Sequence, residues 1–155
     1  MSKDETEIEA LIQAKGLTRP RLTPQDVDDT IKAETYTTLP SGKVMVCELT
    51  LRNGFTVRGE AAVVSKANFN EEVGRKISRE NARNKVWEME GYLLQQRLNS
   101  ARELLRTSNL SIAEVAVAAG YGDSDYFSRL FREAMKQTPR DYRESVRGKL
   151  FTVIQ

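Results

Sequence analysis

The clearest pattern of hydrophobic and polar positions lies in residues 43–64, where apolar side chains recur at every second position. Two such runs, VMVCELTL and FTVRGEAAVV, flank the pair Asn53-Gly54. Alternation with a period of two on both sides of an Asn-Gly pair is typical of a β-hairpin. The pattern therefore predicts two antiparallel strands, with Gly54 in the left-handed conformation of a three-residue loop.

The register of this hairpin follows from the separation of apolar and polar side chains. A three-residue loop pairs Leu49 with Val57 on one face of the hairpin and Thr50 with Thr56 on the other. A two-residue loop would place the apolar residues of the two strands on opposite faces. The three-residue loop is therefore the predicted one, and it places Cys47 on the apolar face as a small core residue.

Helical spacing precedes the hairpin. Ile8, Leu11 and Ile12 recur at helical intervals and predict a short helix over residues 4–15. The segment 23–26 then supplies a threonine cap, a proline at the first helical position and an acidic residue in the first turn. These signals predict a second helix that reaches about Thr35.

A longer helical pattern follows the hairpin. Asn70 is a natural helix cap, and apolar residues recur at helical intervals from there towards Thr107. One unbroken helix over this segment would be about 57 Å long at 1.5 Å per residue, which is long for a chain of this size. We therefore expect an interruption at Gly91.

The C-terminal third predicts a pair of short helices and a third one after them. Residues 111–114 form a capping box, Gly120 ends the helix that it starts, and Asp123 caps the next helix. Residues 138–141 begin a last short helix, and the apolar stretch Leu150–Ile154 is strand-like. Two short amphipathic helices joined at a glycine are the pattern of a helix-turn-helix.

Composition narrows the classes of function. The 155-residue chain has 39% hydrophobic and 30% charged residues, one cysteine and no histidine. Histidine-dependent catalysis and nearly all zinc sites are excluded, so we expect no enzyme, no metal site and no cofactor. Apolar runs are too short to span a membrane, and a lone Cys47 fits a reducing compartment, which predicts a cytoplasmic protein.

Charge is distributed unevenly. The net charge is +2, and residues 91–155 hold ten basic against seven acidic residues. Residues 1–90 hold fourteen basic against fifteen acidic residues. A mild basic excess in the second part of the chain is compatible with nucleic-acid binding.

The residues from Tyr92 to Arg143 carry a family resemblance. The strings RLNSARELL, SIAEVAVAAGY, YFSRLF and TPRDYR resemble the second helix-turn-helix unit of AraC/XylS-type transcription regulators. The resemblance implies sequence-specific binding of double-stranded DNA and regulation of transcription. Its base-reading positions fall on Ser124, Asp125, Ser128 and Arg129. Further along the same helix, Arg132 and Lys136 are the candidate phosphate contacts.

Two features depart from this family. Lys136 occupies a position that is usually glycine, and the first of the family's two helix-turn-helix units is missing. A single unit offers a small DNA interface. A second copy of the chain is therefore one candidate partner, and a host or phage protein is another.

Residues from about Leu11 to Leu98 resemble a family of small, uncharacterised proteins of tailed phages and prophages. The strings that carry this resemblance are ALIQAKGLTRPRLTP, CELTLRNGFTVRGEAAVV and NFNEEVGRKISRENARNKVWEMEGYLL. The two resemblances overlap at GYLLQQRL, which is the pattern of a natural or engineered fusion.

The sequence thus predicts an α+β protein. A small N-terminal module of one β-hairpin and flanking helices (residues 1–91) precedes an all-helical helix-turn-helix unit (92–147) and an apolar tail (148–155). The leading function is DNA binding with regulation of transcription. The alternative is a phage accessory or anti-defence protein that acts through protein contacts without reading DNA.

Overall fold

The computed structural model of the protein describes residues 3–17 and 20–152. Strands β2 (Val44–Leu51) and β3 (Thr56–Ala62) form the hairpin. They pair Leu49 with Val57 and Thr50 with Thr56, as the three-residue loop requires. The turn places Gly54 at φ 86°. The predicted register is therefore confirmed.

A strand that the sequence analysis missed completes the sheet. Helix α2 (Pro24–Thr30) begins at the predicted cap but ends five residues before Thr35. The chain continues as strand β1 (Ile31–Thr38), which pairs antiparallel with β2 in the order β1-β2-β3. The predicted extension of the helix to Thr35 is wrong, because pairing with β2 outweighs the helical preference of this short segment.

One face of the sheet forms the N-terminal core. The hairpin contributes Cys47, Leu49, Leu51 and Val57, and all four side chains are buried. The cluster is completed by Val27, Ala82 and Val86, with Trp87 packed against it. Burial raises the pKa of the Cys47 thiol, so this cysteine is a core residue, as predicted.

The helix after the hairpin is continuous. Helix α3 (Glu71–Thr107) runs for 37 residues, about 55 Å, without an interruption. The predicted break at Gly91 is wrong. The length argument failed because α3 is shared by two compact units, with residues up to Gly91 in one and residues from Tyr92 onwards in the other.

Helix α3 lies directly against the backbone of β3 at Gly59. A Cβ atom at this position would lie 2.1 Å from the backbone nitrogen of Ala82 and 2.2 Å from the carbonyl oxygen of Ser78. Asn81 and Lys85 donate hydrogen bonds to the carbonyl oxygens of Glu60 and Arg58, at 2.8 and 2.7 Å. The sheet therefore packs against α3 through its backbone at Gly59.

A buried arginine organises the helices around this core. Arg83 is 2% exposed, and its guanidinium binds Asp28 at 2.7 Å and also binds Glu5. It donates a further hydrogen bond to the carbonyl of Pro24 at 3.2 Å and lies over the ring of Trp87. Arg83 thereby joins α3 to α2 and to the N-terminal helix α1 (Lys3–Ala14).

The predicted first helix is confirmed with slightly different ends, since α1 spans Lys3–Ala14 rather than residues 4–15. By its contacts, the chain up to Leu11 belongs to the N-terminal unit with Leu22–Gly91. The described residues between 12 and 21 belong to the C-terminal unit. In the described residues, no helix is long and apolar enough to cross a membrane.

The C-terminal unit is helical, with α4 (Ile112–Ala118), α5 (Ser124–Met135) and α6 (Pro139–Thr152) following the end of α3. The α+β fold class is therefore confirmed. The predicted strand-like tail is wrong as far as Thr152, because α6 continues through that residue. Residues 153–155 of the predicted tail lie outside the described residues.

Candidate nucleic-acid interface

Helix α4 starts at a complete capping box. The Ser111 hydroxyl accepts from the backbone N–H of Glu114 at 3.2 Å, and the Glu114 carboxylate accepts from the backbone N–H of Ser111 at 2.7 Å. These hydrogen bonds hold the pKa of Glu114 below its usual value. The box fixes the first turn of a helix of only seven residues, and it confirms the predicted start.

The turn between α4 and α5 is a glycine turn. Gly120 adopts φ 88°, and the N–H of Tyr121 donates to the carbonyl of Ala116 at 2.8 Å. Ala116 is 1% exposed, so its small side chain lets the surrounding helices approach closely. Asp123 then caps α5 by accepting from the N–H of Tyr126 at 2.5 Å. Two short helices are thus joined by a tight, capped turn.

The inner face of α5 is anchored by aromatic rings. Phe127 and Phe131 are fully buried, and their ring centroids lie 5.5 Å apart. The ring centroids of Tyr121 and Phe127 lie 5.1 Å apart, and those of Phe131 and Tyr142 of α6 lie 5.4 Å apart. Because this face of α5 packs in the core, the opposite face lies at the surface.

The six residues predicted to contact DNA all lie on or just beyond α5. Asp125, Arg129, Arg132 and Lys136 are exposed, and Ser124 and Ser128 are half-buried. Four of the six line one groove of about 640 Å³: Ser128, Arg129, Arg132 and Lys136. Ser124 and Asp125, in the first turn of α5, do not line it.

The groove includes a cation that the sequence analysis did not select. Arg140, near the start of α6, lines it together with Thr138 and Pro139. Its guanidinium lies 3.9 Å from the carboxylate of Glu144, and both side chains are strongly exposed. The signal was present in the string TPRDYR, where an arginine follows the proline that begins the helix.

Lys136 ends α5 in an unusual conformation. It is the one non-glycine residue with positive φ in the described parts of the chain, at φ 59°. Its N–H donates to the carbonyl of Arg132 at 2.9 Å, which closes the last turn of α5. The helix therefore ends with a left-handed residue, but a lysine takes the role that glycine usually has.

Other cations of this unit serve the fold. Arg143 donates to the carbonyl of Leu110 at 2.6 Å, and Arg147 binds the carbonyl of Ser108 and, at 3.1 Å, the side chain of Asn109. Burial lowers the pKa of Arg143, with the nearby Arg147 adding to the effect. Both arginines stabilise the connection between α3 and α4, and neither of them lines the groove.

Among the described residues, no cluster of histidine, cysteine or carboxylate side chains could hold a metal ion. The C-terminal unit has a capped pair of helices, an outward-facing α5 and a groove lined by four cationic side chains and one carboxylate, that of Glu133. These features define a helix-turn-helix unit with a basic surface.

The comparison with known proteins agrees with this class. Residues 87–145 match the family model described as a helix-turn-helix domain. The chain is 49% identical over 53 residues to the HTH-type transcriptional activator RhaS of Salmonella arizonae, and equally to the RhaS proteins of Salmonella newport and Salmonella paratyphi B. The matched segment is 34% of this chain and 19% of each relative, so the chain spans about a fifth of their length.

The N-terminal part matches a different family. Residues 22–98 match the model of the phage protein (N4 Gp49/phage Sf6 gene 66) family. The two matches overlap at residues 87–98, inside α3. Both resemblances expected from the sequence are thereby confirmed. No solved structure was found to match the chain.

Proposed function

We propose that the C-terminal unit binds double-stranded DNA by placing α5 in the major groove, and that the protein regulates transcription in this way. The observation that carries the proposal is the groove beside α5, where Arg129, Arg132, Lys136 and Arg140 face one surface. Similarity to a transcriptional activator over the same unit supports it. Clustered cations next to an exposed helix match the negative charge of a DNA backbone.

The exposed face of α5 suggests a division of roles. Ser124 and Asp125 lie in its first turn, and Ser128 and Arg129 lie one turn later. The Arg129 guanidinium lies 5.7 Å from the centre of the Tyr126 ring. These four positions are the ones that the family resemblance implies for base reading, and they form the proposed base-reading set, in which the Arg129 guanidinium can bind guanine through two hydrogen bonds.

The cations at the far end of the groove suit the phosphate backbone. Arg132, Lys136 and Arg140 lie in the last turn of α5, directly after it, and at the start of α6. Phosphate contacts fix the position of a protein on the duplex and carry no base preference. Arg140 therefore joins Arg132 and Lys136 in the proposed phosphate set.

An electrophoretic shift with random duplex DNA at low salt tests the proposal. We expect the full chain to shift the DNA, with a dissociation constant of about 10⁻⁴–10⁻⁶ M at physiological salt and tighter binding at low salt. The double variant Arg132→Ala/Arg140→Ala should lose most of this binding. Arg106→Ala is the matched control, because Arg106 pairs with Glu103 on α3, away from the groove. A folded protein that leaves the DNA unshifted at about 100 μM would contradict DNA binding.

The two arginines of α5 should differ in their effect on sequence preference. On a selected high-affinity site, Arg129→Ala should cost about 1–3 kcal/mol and relax the preference at one base pair. Arg132→Ala should weaken binding to all sequences alike. Competition between the selected site and random duplex measures the difference. Equal losses on both DNAs for Arg129→Ala would show that Arg129 does not read a base.

Replacing Lys136 by glycine should raise the stability of the C-terminal unit and lower its affinity for DNA. Lys136→Gly should stabilise the C-terminal unit by about 1 kcal/mol, because glycine adopts positive φ without the steric cost that a side chain carries. The same variant should bind random duplex more weakly, since it removes a cation from the groove. Thermal unfolding and the electrophoretic shift measure the two effects.

Lys136→Ala is the matched control for this pair of effects. It removes the same charge but keeps a Cβ atom at φ 59°. It should therefore lose DNA affinity without the gain in stability. If Lys136→Gly bound DNA as tightly as the wild type, the proposed phosphate contact would be wrong.

A further inference from the structure

The two edges of the sheet in the N-terminal unit differ in whether their outward-facing backbone groups are hydrogen-bonded. On the β3 edge, the side chains of Asn81 and Lys85 donate to backbone carbonyl oxygens of the strand. On the β1 edge, none of the described residues outside the strand makes a hydrogen bond to its outward-facing backbone. A bare edge of this kind is a template for pairing with another strand.

The groups that face outward can be identified from the ladder. The N–H of Leu39 donates to the carbonyl of Val44 at 2.8 Å, so residue 39 faces β2. Backbone groups alternate in direction along an antiparallel strand. The N–H and C=O groups of Glu34, Tyr36 and Thr38 therefore point away from the sheet, and β1 is exposed along most of its length.

The sequence of β1 is compatible with itself in antiparallel pairing. A register centred on Thr35 places Glu34 opposite Tyr36 of a second copy and Ala33 opposite Thr37. It uses the regular part of the strand, residues 33–37, since β1 shifts its register against β2 between Ile31 and Ala33, and it opposes no like charges. A register centred on Glu34 would place two carboxylates opposite each other, which destabilises a sheet.

We propose that β1 pairs antiparallel with β1 of a second copy of this chain, centred on Thr35, to form a continuous six-stranded sheet. This goes beyond the proposed DNA binding and does not depend on it. The pairing is two-fold symmetric, so each assembly contains two helix-turn-helix units. If these units bind DNA, the preferred site is an inverted repeat.

A cysteine at the centre of the pairing tests this inference. In the proposed register Thr35 meets its own counterpart in a non-hydrogen-bonded pair, with Cα atoms about 4.5 Å apart, which a disulfide can span. Thr35 is exposed, whereas the native Cys47 is fully buried. Under mild oxidation, Thr35→Cys should therefore give a covalent dimer and the wild type should not.

Thr56→Cys is the matched control, since Thr56 is exposed on the same face of the sheet but belongs to β3. Ala33→Cys and Thr37→Cys should cross-link when mixed and not when oxidised separately, because each faces the other across the pairing. Sedimentation of the wild type at about 100 μM should give a mass above the 17.6 kDa of one chain. The pairing is overturned if Thr35→Cys cross-links no faster than Thr56→Cys, or if the wild type sediments as a monomer.

Discussion

Gly59→Ala should destabilise the N-terminal unit by at least about 3 kcal/mol. The added methyl group would lie 2.1 Å from the nitrogen of Ala82 and 2.2 Å from the carbonyl oxygen of Ser78. Both are backbone atoms, so no side-chain rotation can make room, and α3 must move away from β3. Urea unfolding followed by the fluorescence of Trp87, the only tryptophan in the chain, measures the loss in this unit.

Gly91→Ala provides the control, because both glycines belong to the same unit. A Cβ atom at Gly91 would meet only the end of the Leu22 side chain, at 3.9 Å. Alanine in a helix interior is favoured over glycine, so this variant should gain up to about 1 kcal/mol. Equal stability of the two variants would contradict the close approach at Gly59.

Arg83→Met should be the second large effect, with a loss of about 3 kcal/mol or more. Arg83 is 2% exposed, and its removal takes the guanidinium from the half-buried carboxylates of Glu5 and Asp28. A methionine of similar length fills the space but cannot bind a carboxylate. Trp87 fluorescence reports this loss as well, since the guanidinium lies 5.9 Å from the Trp87 ring centre.

Arg79→Met is the matched control on the same helix. Arg79 binds Glu34 at 2.7 Å, but the two side chains are 36% and 39% exposed. Exposed ion pairs contribute about 0–1 kcal/mol, so the control should lose no more than that. If the two arginine variants were equally stable, the burial of Arg83 would not be what stabilises the contact between α1, α2 and α3.

The elements that could be predicted from the sequence are those set by local patterns. Alternation and the Asn-Gly pair determined the hairpin register, and the capping residues Ser111 and Asp123 marked the starts of α4 and α5. These patterns involve residues that are close together in the chain. Local geometry is enough to interpret them.

The elements that were missed depend on distant residues. In strand β1, Lys32, Ala33 and Glu34 have no strong β preference and are extended because β2 lies beside them, whereas residues 35–38 are β-branched or aromatic and did carry a local strand signal. Arg83 is buried because Asp28 and Glu5 reach it from 55 and 78 residues away in the chain. No spacing rule predicts which of many arginines receives such partners.

The sequence predicted most of the polar residues of the candidate site, but it did not predict how far the site extends. The resemblance pointed to Ser128 and Arg129, and position further along the same helix pointed to Arg132 and Lys136; the structure brings these four to one groove. Arg140 joins them through the turn between α5 and α6, whose shape depends on the left-handed Lys136. That shape is a property of the folded chain.

Arg143 and Arg147 bind the connection between α3 and α4, and this limits how many counterions the protein can release from DNA when it binds. These two cations already bind carbonyl groups, so the proposed phosphate contacts are those of three groove cations, Arg132, Lys136 and Arg140. Each neutralised phosphate contributes about −0.9 to the slope of log K against log salt concentration. For these three phosphate contacts we expect a slope of about −2.7 per chain, well short of the value that all ten basic residues of this region would give.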